Sequence, residues 1–265
     1  MRLGFVGTGA ITSAIITGLN ADGVGKDTIL VSPRNADTAA ALAAKFRNVT
    51  IAASNQAVLD GSDVVMLAVR PQVASEVLSE LKFRADHRII SLMAIVPLGK
   101  VAELVAPASK VTRAIPIPIV ADRRGPTAIF PPDPVAAEIF NRLGTAIEAT
   151  SADQFVAFST ATATMAPYFT FAEEIAAWLT RHGVPAADAR RYVATVYQGL
   201  GNIAVATPEH SLAALAGEFA TRGGINEQVV AHMKERGAFT ALSEGLDAVL
   251  RRMKAAAENT DPKGG

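Results

Sequence analysis

The sequence predicts an α/β fold with a doubly wound parallel sheet, followed by a second domain built of helices alone. Three observations carry this reading. Over the first 150 residues, short runs rich in Val, Ile and Leu alternate with stretches of helical period, the pattern of strands covered by helices on both faces. From about Ser151 the strand runs stop and an Ala-rich helical periodicity takes over. The chain has 265 residues, half of them hydrophobic and 19% charged, enough for two modest domains with buried cores. The expected organisation is therefore an α/β domain over 1–150, an all-α domain over 151–258 and a frayed tail over 259–265.

The elements follow in order. Arg2–Val6, Ile29–Val31, Val49–Ile51, Val64–Val69, Ile89–Met93 and Val111–Ile115 read as strands, and Thr127–Phe130 and Ala146–Ala149 extend the sheet. Ile11–Asn20, Asp37–Phe46, Ala74–Leu81, Gly99–Val105 and Pro134–Leu143 read as the helices between them. The second domain divides into Asp153–His182, Ala186–Ala206, Glu209–Ala220, Asn226–Glu235 and a last helix from Phe239 to about Ala257. Gly183-Val184-Pro185, Thr207-Pro208 and Gly223-Gly224 mark three of the breaks. The first of these helices carries Phe155, Phe158, Met165, Tyr168, Phe169, Phe171 and Trp178. That cluster fits an intradomain core or an interface between subunits equally well.

Composition narrows the function. The net charge is zero, so no bulk electrostatic attraction draws the chain to nucleic acid or to an anionic membrane. No apolar run reaches the ~18–20 residues of a membrane span. The apolar N-terminal stretch is broken by Gly4, Gly7, Thr8, Gly9, Thr12 and Ser13 and lacks the compact apolar centre of a signal peptide. Cys is absent, which excludes disulfides, a thiolate nucleophile and a Cys-based metal site, and makes the reducing cytoplasm the simplest compartment. Nothing in the residue pattern gives a physical reason to place a metal.

Leu3-Gly-Phe-Val-Gly7-Thr8-Gly9-Ala10-Ile11-Thr12 is the strongest local motif. A strand ends at Val6 and a helix opens at about Ala10. Gly7 permits the tight turn, and Gly9 lets backbone N–H groups of Thr8, Ala10 and Ile11 approach a pyrophosphate at the positive end of the helix. This is the phosphate loop of a Rossmann-type dinucleotide domain, with Thr12 at the third fingerprint position. The second strand ends Leu30-Val31-Ser32-Pro33-Arg34-Asn35, with no acid before Asp37. An NAD site places Asp or Glu there for the ribose hydroxyl. Here Ser32 and Asn35 offer hydrogen bonds and Arg34 offers a charge-assisted pair to a 2′-phosphate, so NADP(H) is expected over NAD(H). Ala68-Val69-Arg70-Pro71-Gln72 follows another strand end, where such folds bind ligands, and forms a second cofactor loop.

The two-domain plan also fits a β-hydroxyacid dehydrogenase, whose chemistry needs a Lys acid/base in the helical part. There is no Lys between Lys110 and Lys234. His87, His182 and His210 read as structural residues. A protonated C=N accepts hydride with positioning and electrostatics alone, so the residues favour imine reduction.

The chain resembles the pyrroline-5-carboxylate reductase family over nearly its whole length. The resemblance rests on Leu3–Thr12, Ala68–Gln72, Ser91-Leu-Met-Ala94, Val111-Thr-Arg113-Ala-Ile-Pro116, Gly125-Pro-Thr-Ala128 and Thr221-Arg-Gly-Gly224, with Gly183-Val-Pro185 and Gly237-Ala-Phe239 in the expected places. It implies a nicotinamide-dependent imine reductase, an intertwined homodimer through the helical domain, sometimes assembled further, and a site at the subunit junction. It also implies that Ala94 and Pro116 touch the cofactor. The family's loop Ser/Thr-Pro-Gly-Gly-x-Thr reads Thr221-Arg222-Gly223-Gly224-Ile225-Asn226 here. By that resemblance Gly223, Gly224, Ile225 and Arg222 meet the substrate carboxylate. Thr221 supplies a hydroxyl, and Asn226 replaces the Thr near the imine nitrogen. The family's Met-Pro-Asn-Thr-Pro becomes Ile115-Pro116-Ile117-Pro118-Ile119, and its Gly-Ser-Gly-Pro-Ala-Tyr becomes Thr162-Ala-Thr-Met-Ala-Pro167-Tyr168. Ile117 makes the substrate pocket more apolar. The expected reaction is NADPH-dependent reduction of 1-pyrroline-5-carboxylate to L-proline. The alternatives are a reductase of another, more apolar imine or ketone, and a catalytically silent dinucleotide-binding dimer.

Overall fold

The computed structural model describes residues 1–23 and 25–259. Strands β1 (Arg2–Val6), β2 (Thr28–Val31), β3 (Val49–Ile51), β4 (Val64–Leu67), β5 (Arg88–Ser91), β6 (Lys110–Ile115), β7 (Pro126–Phe130) and β8 (Thr145–Glu148) form one sheet. Their order is β3-β2-β1-β4-β5-β6-β7-β8. The chain leaves β3 at one side and returns to place β4 against the other edge of β1, pairing Leu3 with Val64 and Val6 with Leu67. β4 is buried at all four positions, as a central parallel strand covered on both faces must be.

Helices α1 (Ala10–Leu19), α2 (Ala36–Lys45), α3 (Asn55–Asp60), α4 (Pro71–Ser79), α5 (Leu98–Leu104) and α6 (Pro134–Asn141) cover the sheet. One core joins α1, α2 and α6 to the sheet through Ile15, Ile16, Leu42, Ile139 and Phe140. The other joins α3, α4 and α5 through Val58, Leu59, Val77, Leu78 and Val101. These are the two faces of a doubly wound sheet. α3 is short and its apolar period is too brief to read. Its signal is local: Ser54 accepts the Ala57 N–H through its side chain, a serine N-cap.

The sheet departs from the expected parallel plan at one place. β7 runs antiparallel to β6, pairing Ile115 with Ala128, and β8 then runs parallel to β7. The link from Pro116 to Gly125 holds only a short 3₁₀ turn, Pro118–Asp122. A parallel crossover needs a dozen or more residues, usually with a helix. β7 to β8 has that helix, α6, and is parallel.

The remaining elements are α7 (Ala152–Ala161), α8 (Met165–Arg181), α9 (Ala186–Ala206), α10 (Leu212–Phe219), α11 (Ile225–Glu235) and α12 (Ala238–Asn259). The chain divides into one unit of Met1–Ser159 with the stretch that begins at Leu250, and a second unit of Thr160–Val249. The tail expected over 259–265 lies, from residue 260 on, outside the described residues. The helix expected over Asp153–His182 is two helices with a 3₁₀ turn, Thr162–Thr164, between them. Pro167, in the first turn of α8, has no N–H to continue the preceding helix. The helix expected from Glu209 starts at Leu212, because Ser211 caps it by accepting the Ala214 N–H.

Within the second unit the buried apolar cluster is small: Ala176, Ala189 and Val193, packed with Ile175, Leu179 and Tyr197 between α8 and α9. Tyr168, Phe169, Phe171 and Trp178 are exposed in the single chain, as are Tyr192, Val205 and Ile225. Phe155 alone among the aromatics of the expected first helix is fully buried, and it packs in the first unit against Ile115, Ala128, Phe130 and Ala149.

Candidate functional site

The carboxyl ends of β2, β1, β4, β5 and β6 stand side by side along one edge of the sheet. With neighbouring strands about 4.8 Å apart, this row spans roughly 19 Å. Near its middle lies the switch point between β1 and β4, where open α/β sheets bind ligands. Each strand opens into a loop that carries residues expected on the cofactor.

The glycine loop follows β1. Gly7 has φ +104°, and a Cβ built on it would lie 2.5 Å from the Ala68 carbonyl oxygen. Gly7 thus lets the loops after β1 and β4 touch, while the Ala68 N–H donates to the Val6 carbonyl at 2.8 Å. Gly9 is different. It is the extended N-cap of α1, and a Cβ on it would meet nothing of the chain within 4 Å. Internal packing therefore does not require glycine at 9. The cleared space lies at a helix N-terminus, whose first-turn N–H groups and dipole favour an anion. Gly7, Thr8, Gly9, Ala10 and Ile11 form this loop, the one expected to hold a dinucleotide pyrophosphate.

Side chains brace this loop from beneath. Thr12 Oγ1 donates to the Gly7 carbonyl at 2.7 Å. Ser32 Oγ accepts the Gly7 N–H at 2.9 Å. Thr8 Oγ1 donates to the Ser32 carbonyl at 2.8 Å, which leaves the Ser32 hydroxyl to donate to Thr8 Oγ1 at 3.0 Å. Ser32 has no exposed surface. Ser32 was expected to hydrogen-bond the ribose or its phosphate; in the structure its hydroxyl is engaged inside the protein, with Gly7 and Thr8. β2 ends beside β1, so the first side chain after β2 falls under the glycine loop. The Asn35 amide likewise donates to the Thr8 carbonyl at 2.9 Å, although the residue is exposed. Arg34, between them, is exposed and has no hydrogen-bond or ion-pair partner among the described residues. It is the residue expected to meet a 2′-phosphate.

After β4, Ala68 and Val69 are half-buried and Arg70 is exposed. Arg70 is the N-cap of α4 and Pro71 its first residue, a position that suits proline because the N–H there has no helical partner. After β5, the Ala94 carbonyl accepts a hydrogen bond from Arg113 Nη2 at 2.5 Å. After β6, Pro116 and Ile117 are half-buried and lead into the 3₁₀ turn. The structure thus brings Gly7–Ile11, Arg34, Ala68–Pro71, Ala94, Pro116 and Ile117 to one edge.

Arg113 was not expected as a site residue. It lies on β6, opposite Ser91 of β5, and is only 7% exposed. Burial pushes its guanidinium down to about 10. A charge inside a mostly apolar strand run, Val111–Ile115, is the sequence signal that marks it.

Thr221, Arg222, Gly223, Gly224, Ile225 and Asn226 belong to the second unit, in the turn that opens α11. Gly223 has φ +72°, and a Cβ on Gly224 would lie 2.6 Å from Thr221 Oγ1. The Gly224 N–H donates to the Thr221 carbonyl at 2.8 Å. The Gly223 N–H, expected to face a substrate carboxylate, donates instead to the Glu227 carboxylate at 2.6 Å. Asn226 Nδ2 donates to the Phe219 carbonyl at 3.2 Å. Thr221, Arg222 and Ile225 are exposed. Glu227 is a second residue that sequence reasoning missed; its place three residues into the helix, after Gly224, is a capping signal.

Three of the histidines have partners within the protein. His87 is fully buried, with Nδ1 accepting the Arg84 N–H at 3.0 Å and Nε2 donating to the Leu59 carbonyl at 3.0 Å. His182 stacks on Trp178 with ring centroids 4.1 Å apart, and His210 lies 3.4 Å from Glu218.

Two family models match this chain. Residues 2–95 match NADP oxidoreductase, coenzyme F420-dependent, and residues 152–256 match pyrroline-5-carboxylate reductase dimerisation. Residues 152–256 thus carry the pyrroline-5-carboxylate reductase dimerisation domain, and the matches together support the pyrroline-5-carboxylate reductase family. The chain is an NAD(P)H-dependent oxidoreductase acting on CH–NH bonds; the matches also support a nicotinamide dinucleotide cofactor and homo-oligomer formation through the dimerisation segment. Pyrroline-5-carboxylate reductase 3 of Xenopus laevis is 28% identical, with 95% of this chain and 94% of the relative aligned. Pyrroline-5-carboxylate reductase of Escherichia coli is also 28% identical, over 95% and 96%. The structure of a pyrroline-5-carboxylate reductase from Coxiella burnetii superposes with a TM-score of 0.85 at 24% identity, covering 97% of this chain and 98% of that one. No helix among the described residues is long and apolar enough to cross a membrane.

Proposed function

We propose that this reductase catalyses NADPH-dependent reduction of a cyclic imine, with 1-pyrroline-5-carboxylate, giving L-proline, as the leading substrate. One observation carries the cofactor half of this reading: the space above Gly9 that a Cβ would enter, at the N-terminus of α1. The dinucleotide, when bound, supplies a hydride to the imine carbon. Gly7–Ile11 hold the pyrophosphate through backbone N–H groups. Arg34 pairs with the 2′-phosphate and sets the preference for NADP(H) over NAD(H). Ala68–Pro71 with Arg70 flank the phosphates, and Ala94, Pro116 and Ile117 bound the nicotinamide end and exclude water there. Thr221–Asn226 orient the substrate, with Asn226 and Thr221 nearest the imine. The working assembly is a homodimer joined through the exposed aromatic face of the helical unit, in the cytoplasm.

A second reading keeps the reaction type and changes the substrate. The Glu227 carboxylate already takes the Gly223 N–H, and Ile117 stands where a polar side chain would pair with a polar substrate. Both favour an imine that is more apolar or lacks a carboxylate. The test is NADPH oxidation by the purified protein with 1-pyrroline-5-carboxylate and with unsubstituted 1-pyrroline, with NADH and substrate-free blanks in parallel. Turnover of ~1–10³ per second with the carboxylated imine supports the first reading. Turnover confined to the unsubstituted imine supports the second. NADPH binding with no turnover on either leaves a silent dinucleotide-binding dimer.

A further inference from the structure

Arg113 is costly where it stands. It sits near the carboxyl end of β6 and is 7% exposed. Among the described residues no carboxylate pairs with it, and its Nε–H is the one buried side-chain polar group with no hydrogen-bond partner. Taking a guanidinium out of water without a counter-charge is unfavourable, and replacing such a group by an apolar one is often neutral or stabilising. A strand whose other members are Lys110, Val111, Thr112, Ala114 and Ile115 gains no packing from Arg113 that Met or Leu would not also provide.

What Arg113 does hold is specific. Nη2 donates to the Ala94 carbonyl at 2.5 Å. Cζ lies 4.5 Å from the centroid of the Phe155 ring, and that ring is itself buried. Ser91, opposite Arg113 across the β5–β6 ladder, accepts the Met93 N–H through Oγ at 3.4 Å. The turn Ser91–Ala94 is thus anchored at both ends, at one end by a neutral hydroxyl and at the other by a charged donor. The planar guanidinium suits both jobs, since it bonds in its plane and stacks through its face.

We propose that Arg113 is a positioning residue for hydride transfer, clamping the Ala94 carbonyl, and with it the turn after β5, against Phe155 so that the nicotinamide end of the site has one fixed shape. This deepens the proposed function and rests on its assignment of Ala94 to the cofactor. The fold tolerates the unpaired charge because the geometry of that turn controls the reaction. A displacement of ~1 Å at a reacting centre costs up to ~10²-fold in rate.

The experiment compares wild type with Arg113→Met and Arg113→Lys, in the full-length protein. Met keeps the length and removes the charge. Lys keeps the charge and loses the stack and the in-plane geometry. Three readouts are taken: Tm, the Kd for NADPH with the emission intensity of the bound nicotinamide, and kcat and KM on whichever imine the wild type turns over. The expected result for both variants is a Tm no lower than wild type and an NADPH Kd changed by less than about threefold. The bound-nicotinamide emission falls as the ring loosens, and kcat falls by roughly 10–10²-fold with little change in KM. Rates and emission equal to wild type in Arg113→Met overturn the proposal. A rate loss that appears only with a matching fall in Tm overturns it too, since that is a packing role. Full rescue by Lys also overturns it, because charge alone would then suffice. If the wild type itself binds no NADPH, the proposed function fails; if it binds NADPH and turns over no imine, the emission readout still decides the role of Arg113.

Discussion

The α-carbon of Gly7 faces the carbonyl oxygen of Ala68, with 2.5 Å between that oxygen and the place a Cβ would occupy. Two loops from strands far apart in sequence meet at this point, and the contact needs a residue without a side chain. Gly9, two residues on, is open on the same measure. The two glycines of one motif therefore differ: the fold requires glycine at 7 and does not require it at 9.

That difference is measurable. Gly7→Ala is expected to lower stability by about 1–3 kcal/mol, from its positive φ and the backbone clash together. Gly9→Val is expected to leave Tm within a degree or two and to weaken NADPH at least tenfold. Urea unfolding and NADPH titration of both variants check this. A destabilised Gly9→Val with unchanged affinity would reverse the assignment.

Ser32 separates bracing from recognition. Ser32→Ala removes the acceptor of the Gly7 N–H and the partner of Thr8 Oγ1, leaving buried polar groups short of a bond at about 1–3 kcal/mol. It is expected to lower Tm and to weaken NADPH and NADH by the same factor. A loss confined to NADPH would return Ser32 to the 2′-phosphate.

Arg34 should behave in the opposite way. It is exposed and lacks a partner among the described residues, so Arg34→Ala is expected to leave Tm unchanged. A charge-assisted hydrogen bond is worth about 1.5–3 kcal/mol, which predicts a loss of roughly ten- to a hundredfold for NADPH and little for NADH. Equal losses for the two cofactors would remove Arg34 from the site.

His87 makes stability depend on pH. Burial, and after it the charge of Arg84, holds its imidazole below the ordinary histidine value, and Nδ1 already faces a donor, the Arg84 N–H. The unfolded chain takes up a proton near pH 6.5 that the native ring resists. The contribution is therefore full above about pH 6.5 and is lost as pH falls below it toward the folded value. Denaturant midpoints for wild type should fall between pH 7.5 and pH 5.5, and those of His87→Gln should fall less. Parallel curves for the two proteins would show that His87 is not the source.

Much of this protein is written locally. The strands Arg2–Val6 and Val49–Ile51 and the helix Ala186–Ala206 fall where their apolar period places them, because a strand or helix bounded by glycine, proline or a polar cap needs only its neighbours to define it. The same holds for the glycine loop. Gly7, Gly9 and the helix after them are consecutive, so their spacing carries the phosphate-binding geometry. Family membership was legible too, since several short motifs recur in order.

What the sequence could not determine depends on which strand ends beside which. Ser32 reads as a ligand contact until β2 is laid against β1 and its hydroxyl is found beneath Gly7. β7 reads as one more parallel strand until the ten residues before it prove too few for a crossover. Arg113 reads as a charge in an apolar run, and only the ladder to Ser91 and the nearness of Ala94 and Phe155 give it a task. For Ser32 and Arg113 the chain writes down the donor or the charge. Which group it meets is set by contacts across tens of residues, and those exist only once the sheet has closed and water has been excluded.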